Sequence, residues 1–448
     1  MREGSLDAPV RHPLNWTQPE FWDEATLDAE MRRVFDICHG CRRCFNLCDS
    51  FPRLFDLVDA AGDAELGGVV SADFKPVVDA CTLCDMCFMS KCPYVPPHPF
   101  DVDFPHLMLR YRAIEFRKEK WFKLSDQLIE TDRNGKLAAP VAPVANWAMS
   151  TDNKTTRPLL EKIAGVDRRA TLPKFHQETL VAQARKNPLP VNTKAPAFGR
   201  KAVLYATCIA NYNNPAIGDA ARRVLAHNGV DCQVAYPRCC GMPHLERGDL
   251  DRVASHAREV AASLKPYIDQ GHDVVALVPS CALMLKFEWP LLLPDDPDVK
   301  ALAQATFDTS EYIVDIAKHE GLVDGLSALD GGIVVHLACH ARAQNMGAKA
   351  ADMLRLIPGS PPKVIERCSG HGGSWGVMKE NFDVALKVGR PVARQVAEAE
   401  PCHVASECPL AAAHIMQGVE FLQKDKKAAQ PNNPVHPIEL VARAYGLV

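Results

Sequence analysis

No stretch of this sequence is apolar for long enough to span a bilayer, and its first residues, MREGSLDAPVRHPLNW, lack the apolar core of a signal peptide. A basic excess is missing too. The 448 residues carry a formal net charge of −4, which leaves no surplus to neutralise phosphates and excludes a general nucleic-acid binder. Aromatic residues are modest in number, and the hydrophobic fraction is that of a globular protein. No G-x-G-x-x-G follows a candidate strand, no P-loop occurs, and no nucleophile motif is present. What the sequence has in quantity is cysteine, 17 in all. So many thiols without a secretory signal indicate a reducing compartment, where they persist as metal ligands instead of pairing. A cytoplasmic location is expected, peripheral on the inner membrane face at most, through a partner or surface contact.

Eight of these cysteines form two runs. CHGCRRCFNLC carries Cys38, Cys41, Cys44 and Cys48 in the C-x2-C-x2-C-x3-C spacing of bacterial-type iron–sulfur proteins. Zinc sites instead use two C-x-x-C pairs separated by a longer spacer. CTLCDMCFMSKCP repeats the run with Cys81, Cys84, Cys87 and Cys92, followed by Pro93. Its last gap is one residue longer than usual, and the first run has Asp49 where a proline would stand. Three closely spaced thiolates can wrap one face of a cube, so the fourth ligand comes from elsewhere. In two-cluster ferredoxins the fourth cysteine of each run ligates the other cluster. The spacing therefore predicts one [4Fe–4S] centre on Cys38, Cys41, Cys44 and Cys92, and a second on Cys81, Cys84, Cys87 and Cys48.

Around these runs the pattern is helical. Residues 17–37 are expected to form a helix capped by Thr17, with Leu27, Met31, Val34 and Phe35 at helical spacing. The interval between the runs is helical at its ends and broken around Gly62 to Gly68. Residues 104–132 are expected to form one long helix whose charged residues cover a core stripe. From 134 to 199 the chain carries Pro140, Pro143, Pro158, Pro173, Pro188, Pro190 and Pro196, and is expected to wrap or space.

Beyond residue 200 strands alternate with helices, the mark of parallel α/β units. KAVLYATC, VDCQVAYP and DVVALVP are strand candidates, with helices between them. The order then recurs: GGIVVHLAC pairs Cys339 with Cys208, RCSG at 367–370 pairs with RCCG at 238–241, and CHVASEC pairs Cys408 with Cys281. Each of these cysteines follows a strand, at the carboxyl edge where open α/β folds build their sites. Gly241 and Gly370 are expected where backbone must approach a bulky group closely.

These motifs, with RCCGMPHLERGD, PSCALMLKFEWP, HLACHARAQNMG and CSGHGGSWGVMKENF, give a resemblance over roughly residues 30–420. The chain resembles the C subunits of the anaerobic glycerol-3-phosphate dehydrogenases. More broadly, it is similar to iron–sulfur oxidoreductases with two cysteine-rich CCG domains, including the B subunits of heterodisulfide reductases and the glycolate oxidase iron–sulfur subunit. The resemblance implies an α+β multidomain chain. A helical, ferredoxin-like domain with two [4Fe–4S] clusters spans 1–133, a Pro-rich connector 134–199, and repeated α/β CCG domains 200–328 and 329–448. It also implies further metal in those repeats, in the best-understood members a non-cubane [4Fe–4S] cluster. Cys208, Cys239, Cys240 and Cys281 would hold it in the first repeat, although Met284 replaces the last cysteine of the closing C-x-x-C. The second repeat has Ser369 for one cysteine and Ala411 for another, leaving Cys339, Cys368 and Cys408. His340 and His371 can complete a site there for a cluster or for zinc, or serve only as hydrogen-bonding residues of the turn.

The expected function is an iron–sulfur electron-transfer subunit. Partners implied by the resemblance are a flavin-dependent dehydrogenase and a quinone or other acceptor reached through a membrane partner. The competing reading is a disulfide reductase using a non-cubane cluster, and a third is a zinc-bearing structural or redox-sensing protein.

Overall fold

The computed structural model describes residues 7–61, 66–119, 124–423 and 434–448. A helical region precedes two parallel α/β units. Its first long helix runs Glu24–Cys41, not 17–37. Pro19–Trp22 forms a separate short 3-10 turn, the backbone turns extended at Asp23, and the Asp23 carboxylate accepts from the Thr26 amide at 2.8 Å to cap the helix. The apolar spacing nevertheless marks the buried face, formed by Leu27, Met31, Val34 and Phe35. Phe35 meets Phe74 edge to face at 5.1 Å, and Phe51 packs on Phe104 at 4.6 Å. Each such ring removed from water stabilises the region by roughly 1.5–3 kcal/mol.

Helices Ser50–Asp59 and Lys75–Asp79 lie between the cysteine runs, with 3-10 turns Leu66–Gly68 and Ser71–Phe74 before the second. The break expected from Gly62 lies partly outside the described residues. The single helix expected over 104–132 is shorter: Phe104–Lys118 ends where Glu119 turns extended, and a new helix begins at Thr131. It buries more than one stripe, because Arg112 on its other side donates to the carbonyls of Val78 and Glu246 and so faces two elements at once.

The Pro-rich segment holds helices Thr131–Ala138, Ala142–Met149, Thr156–Ala164 and Leu180–Lys186. Pro143 stands in the first turn of its helix, where the missing amide hydrogen has no helical partner to lose. The segment wraps onto the far end of the chain: Asp167 donates its amide to Val377, Lys379 to Gly165, and Gln417 donates a side-chain bond to Arg169.

In the first α/β unit the strands are β1 (Lys201–Tyr205), β2 (Asp231–Ala235), β3 (Asp273–Ala276) and β4 (Thr306–Asp308). They form a parallel sheet in the order β2-β1-β3-β4. The second unit has β5 (Ile333–His336), β6 (Lys363–Ile365) and β7 (His403–Ser406) in the order β6-β5-β7. Matched through the cysteine repeat, the two orders are the same, and β4 is the addition. Helices on both faces explain why β1 and β5 read as unbroken apolar runs.

An N-terminal strap crosses both parts. Val10 bonds to Pro96, and Leu14 to Leu291 at 2.8 Å. Arg11 is buried among Asp85, Asp103 and Glu288, at 2.8, 2.8 and 3.1 Å. Glu288 also holds His106 at 3.1 Å.

Candidate metal centres

Each cysteine run is shaped by reversals of the backbone. The first long helix carries Cys38 and Cys41 in its last turn, and Arg42 then adopts a left-handed conformation. In the second run Leu83 and Asp85 do the same, one before and one after Cys84. Such conformations cost a non-glycine residue about 1–2 kcal/mol each, so they persist only because packing around the turns fixes them. Arg112 contributes by donating to the carbonyl of Cys81.

The runs face each other. Removal from water pushes the Cys38 thiol well above its ordinary value, and the charge of Cys92 adds more than those of Cys44 and Cys41. Cys44 is pushed up to about 12 by burial, then by Cys92 and Cys41. Across the second set, burial raises Cys48, followed by the charges of Cys84 and Cys81. Cys87 is raised by burial and then by Cys84, Cys81 and Cys48. The charge of Cys92 thus bears on Cys38 and Cys44, and that of Cys48 on Cys87.

In the first α/β unit, the turns after β1, β2 and β3 bring together Cys208, Cys239, Cys240 and Cys281, all buried. The sulfurs of Cys208 and Cys239 are 3.9 Å apart. Hydrogen bonds with Cys208 and Cys240 lower the Cys239 thiol from its ordinary value. Gly241 is left-handed, and its amide reaches the Cys239 sulfur at 3.5 Å. Gly370 repeats this turn in the second unit, its amide 3.3 Å from the Cys368 sulfur. The second unit carries Cys339, Cys368 and Cys408 in the matching turns, and burial raises the Cys339 thiol, followed by the charges of Cys84, Cys368 and Cys408.

Several contributors carry no sequence signal. Asp132, from the helix Thr131–Ala138, accepts from the Cys239 amide at 3.0 Å and from the Tyr236 hydroxyl. The Trp289 indole donates to the Cys240 carbonyl at 3.1 Å. His256 meets the Cys239 carbonyl at 3.0 Å, and burial lowers His244 to about 4. Two buried carboxyls line the strand ends: Asp308 is raised to about 6 by burial, and burial also raises Glu407, beside Cys408, well above its ordinary value. His340 turns one ring nitrogen to the Ser280 hydroxyl at 2.8 Å and the other to the Leu83 carbonyl at 3.4 Å. The Nδ1 of His371 accepts from the Gly373 amide at 3.0 Å.

The donor sets are thiols, and all 17 cysteines are free. The thiols of Cys38, Cys48 and Cys87, raised by burial, stay protonated unless a cation takes the proton's place. Among the described residues no three or more His, Cys, Asp or Glu side chains are gathered tightly enough for a single metal ion. A cluster asks for a wider spacing, because each sulfur meets a different iron.

Parallel sheets that collect cysteines at their carboxyl edges, fed by a helical region with two more cysteine sets, define a thiol-rich redox protein. The family model described as the cysteine-rich CCG domain matches residues 202–286, within the first α/β unit and ending before β4. The C subunit of anaerobic glycerol-3-phosphate dehydrogenase from Escherichia coli K12 is 28% identical over 313 residues, 69% of this chain and 76% of that one. Lactate utilization protein A of a Geobacillus species is 30% identical over 40% of this chain and 75% of its own. The D subunit of dihydromethanophenazine:CoB–CoM heterodisulfide reductase from Methanosarcina acetivorans is 25% identical over 55% of this chain and 59% of its own. The chain belongs to the superfamily of iron–sulfur oxidoreductases with cysteine-rich CCG domains. Among the described residues no helix is long and apolar enough to cross a membrane.

Proposed function

We propose that this chain is an iron–sulfur electron-transfer subunit relaying electrons between a flavin-dependent dehydrogenase and a quinone or other acceptor. What supports the reading is the influence of each run on the other: the charge of Cys92 bears on Cys38 and Cys44, and the charges of Cys84 and Cys81 bear on Cys48. Each set offers four thiolates to one [4Fe–4S] group, which supplies one-electron transfer when bound. Cys208, Cys239, Cys240 and Cys281 offer a third set, for a non-cubane cluster. The names of the relatives, subunits of a dehydrogenase and of a reductase, agree with a part in a larger redox complex.

Burial favours relay over disulfide cleavage. A disulfide would have to reach a metal at the first α/β unit, and all four thiols there are buried. Electrons need no such opening.

Protein purified without oxygen is expected to be brown and to hold at least about eight irons, the content of two four-iron clusters. Cys92→Ser should abolish the paramagnetic signal of the Cys38, Cys41 and Cys44 set and leave that of Cys81, Cys84 and Cys87 largely intact. Zinc in place of iron at these sites, or loss of the other signal, would sink the reading.

A further inference from the structure

The segment between the helical region and the first sheet wears its apolar residues on the outside. Thr131–Ala138, the 3-10 turn Ala139–Val141 and Ala142–Met149 follow one another without a gap, and the residues they bury are the small ones, Gly135, Ala139 and Ala142. Their large apolar residues are turned to solvent. Leu137, Val141, Val144 and Trp147 recur at helical spacing and are 52–68% exposed. The helix Thr156–Ala164 adds Leu159 and Ile163, one turn apart and each at least half exposed. It is tied to its predecessor, since the Thr156 hydroxyl donates to the Ala148 carbonyl at 2.6 Å and the Asn153 side chain to the Trp147 carbonyl at 3.2 Å.

The inward side is firmly seated, so this outward face is held in place. A Cβ on Gly135 would lie 2.2 Å from the Tyr212 ring, and Asn146 exchanges two hydrogen bonds with the backbone of Phe175, at 2.8 and 2.9 Å. Helices on a water-facing surface show the reverse arrangement, with the large apolar residues inward. The charge around the face is largely of one sign. Lys136, Lys154 and Lys162 are exposed and join no ion pair among the described residues, and Arg133 is held only by the uncharged Gln127 and Asn134. Glu161 and Asp167 are buried and already answered by Arg168 and Arg169. Between 131 and 164 the one exposed acid is Asp152.

We propose that this face docks on an anionic lipid surface, its apolar side chains entering the headgroup boundary and its lysines meeting the acidic headgroups. Helices that lie in a membrane interface combine an apolar face, tryptophan included, with a lysine-bearing margin. Each cation held near an acidic bilayer adds to the attraction. A chain with a formal net charge of −4 needs such a local excess to approach one. The inference stands apart from the iron–sulfur reading. Together the two set the thiols of the first α/β unit near the lipid, because Leu137 lies about 8 Å along its helix from Asp132, which holds the Cys239 amide.

The test uses the full chain, purified without oxygen, with vesicles of phosphatidylcholine alone or of phosphatidylcholine and phosphatidylglycerol in equal parts, and reads bound protein by flotation. Binding is expected on the mixed vesicles, weakened by salt and at least about tenfold lower on phosphatidylcholine alone. Val144→Glu combined with Trp147→Glu is expected to lower binding to the mixed vesicles at least about tenfold. Val70→Glu, at an exposed apolar site of the helical region, leaves it unchanged. Circular dichroism checks that each variant is folded. Brominated phosphatidylcholine in the mixed vesicles is expected to quench tryptophan fluorescence, and Trp147→Phe to remove most of that quenching while the protein stays bound. No flotation with either vesicle overturns the proposal, as does flotation that the double variant leaves intact. Equal binding to both vesicles overturns it too, because the lysines then play no part. Quenching that survives Trp147→Phe puts another surface on the lipid, and a dimer in sedimentation that the double variant splits assigns the face to a second copy; either result overturns it. None of these outcomes touches iron content, on which the electron-transfer reading stands or falls.

Discussion

Gly241 and Gly370 occupy the same turn, yet they are fixed by different forces. Both are left-handed, but a Cβ at Gly241 would find its nearest neighbour at 3.5 Å, whereas one at Gly370 would lie 2.1 Å from the Ala385 carbonyl oxygen. Gly241→Ala should therefore cost about 1–2 kcal/mol from backbone conformation alone. Gly370→Ala adds a collision with a helix and should cost at least about 3 kcal/mol. Guanidinium unfolding of the two variants checks the difference, and equal midpoints would count against it. The turns themselves were legible as RCCG and RCSG, because spacing to the strands is local. What makes Gly370 indispensable was not, since the helix that crowds it begins only at Phe382. Asp132 is a similar case: it bonds to Cys239 across 107 residues, and nothing in its neighbourhood announces that partner.

Among the elements, the strands were the most readable. β1, β3, β5 and β7 are short apolar runs, each followed within a few residues by a cysteine, and burial on both faces of a parallel sheet makes such runs stand out. Helices of the Pro-rich segment were hidden because a proline in the first turn of a helix looks the same as a proline that breaks one. The start of the first long helix was misplaced for a related reason. Thr17 and Glu20 have capping-box spacing, but the chain leaves the helical region at Asp23 and starts again, so the cap that acts is the Asp23 carboxylate. Asp23→Ala should lower stability by about 1 kcal/mol. Because the cap lies more than three turns from Cys38, iron content should remain that of the unmodified protein. A fall in iron stoichiometry matching the fall in stability would show instead that the helix start positions the cysteines.

Across the whole molecule, the helical region and the first α/β unit are joined by buried charge. Arg11 answers Asp85, Asp103 and Glu288 together, and burial alone would push Asp103 up, but the charges of Arg11 and then His106 hold it down to about 2. A carboxyl lowered in the folded state adds stability that is present above its unfolded value, near pH 4, and is lost as the pH falls toward 2. Arg11→Met removes the cation that three acids share and should cost about 3–5 kcal/mol. It should also move acid unfolding to higher pH, since Asp103 then protonates earlier. Unfolding followed by circular dichroism between pH 2 and 7 reads both effects, and an unchanged acid limb would remove Arg11 from that role.

The same strap sets an order in time. Arg11 leaves the ribosome early, but its partner Glu288 is made 277 residues later, a delay of roughly 14–55 s at 5–20 residues per second. For the greater part of that interval, once Cys92 has been made, both cysteine runs have been synthesised while the clasp across them has nothing to close on. Newly made chains therefore pass through a stage in which the N-terminal thiols are complete as a group and still open to a metal donor. Chain order alone thus leaves the N-terminal thiols accessible before the clasp across them can close.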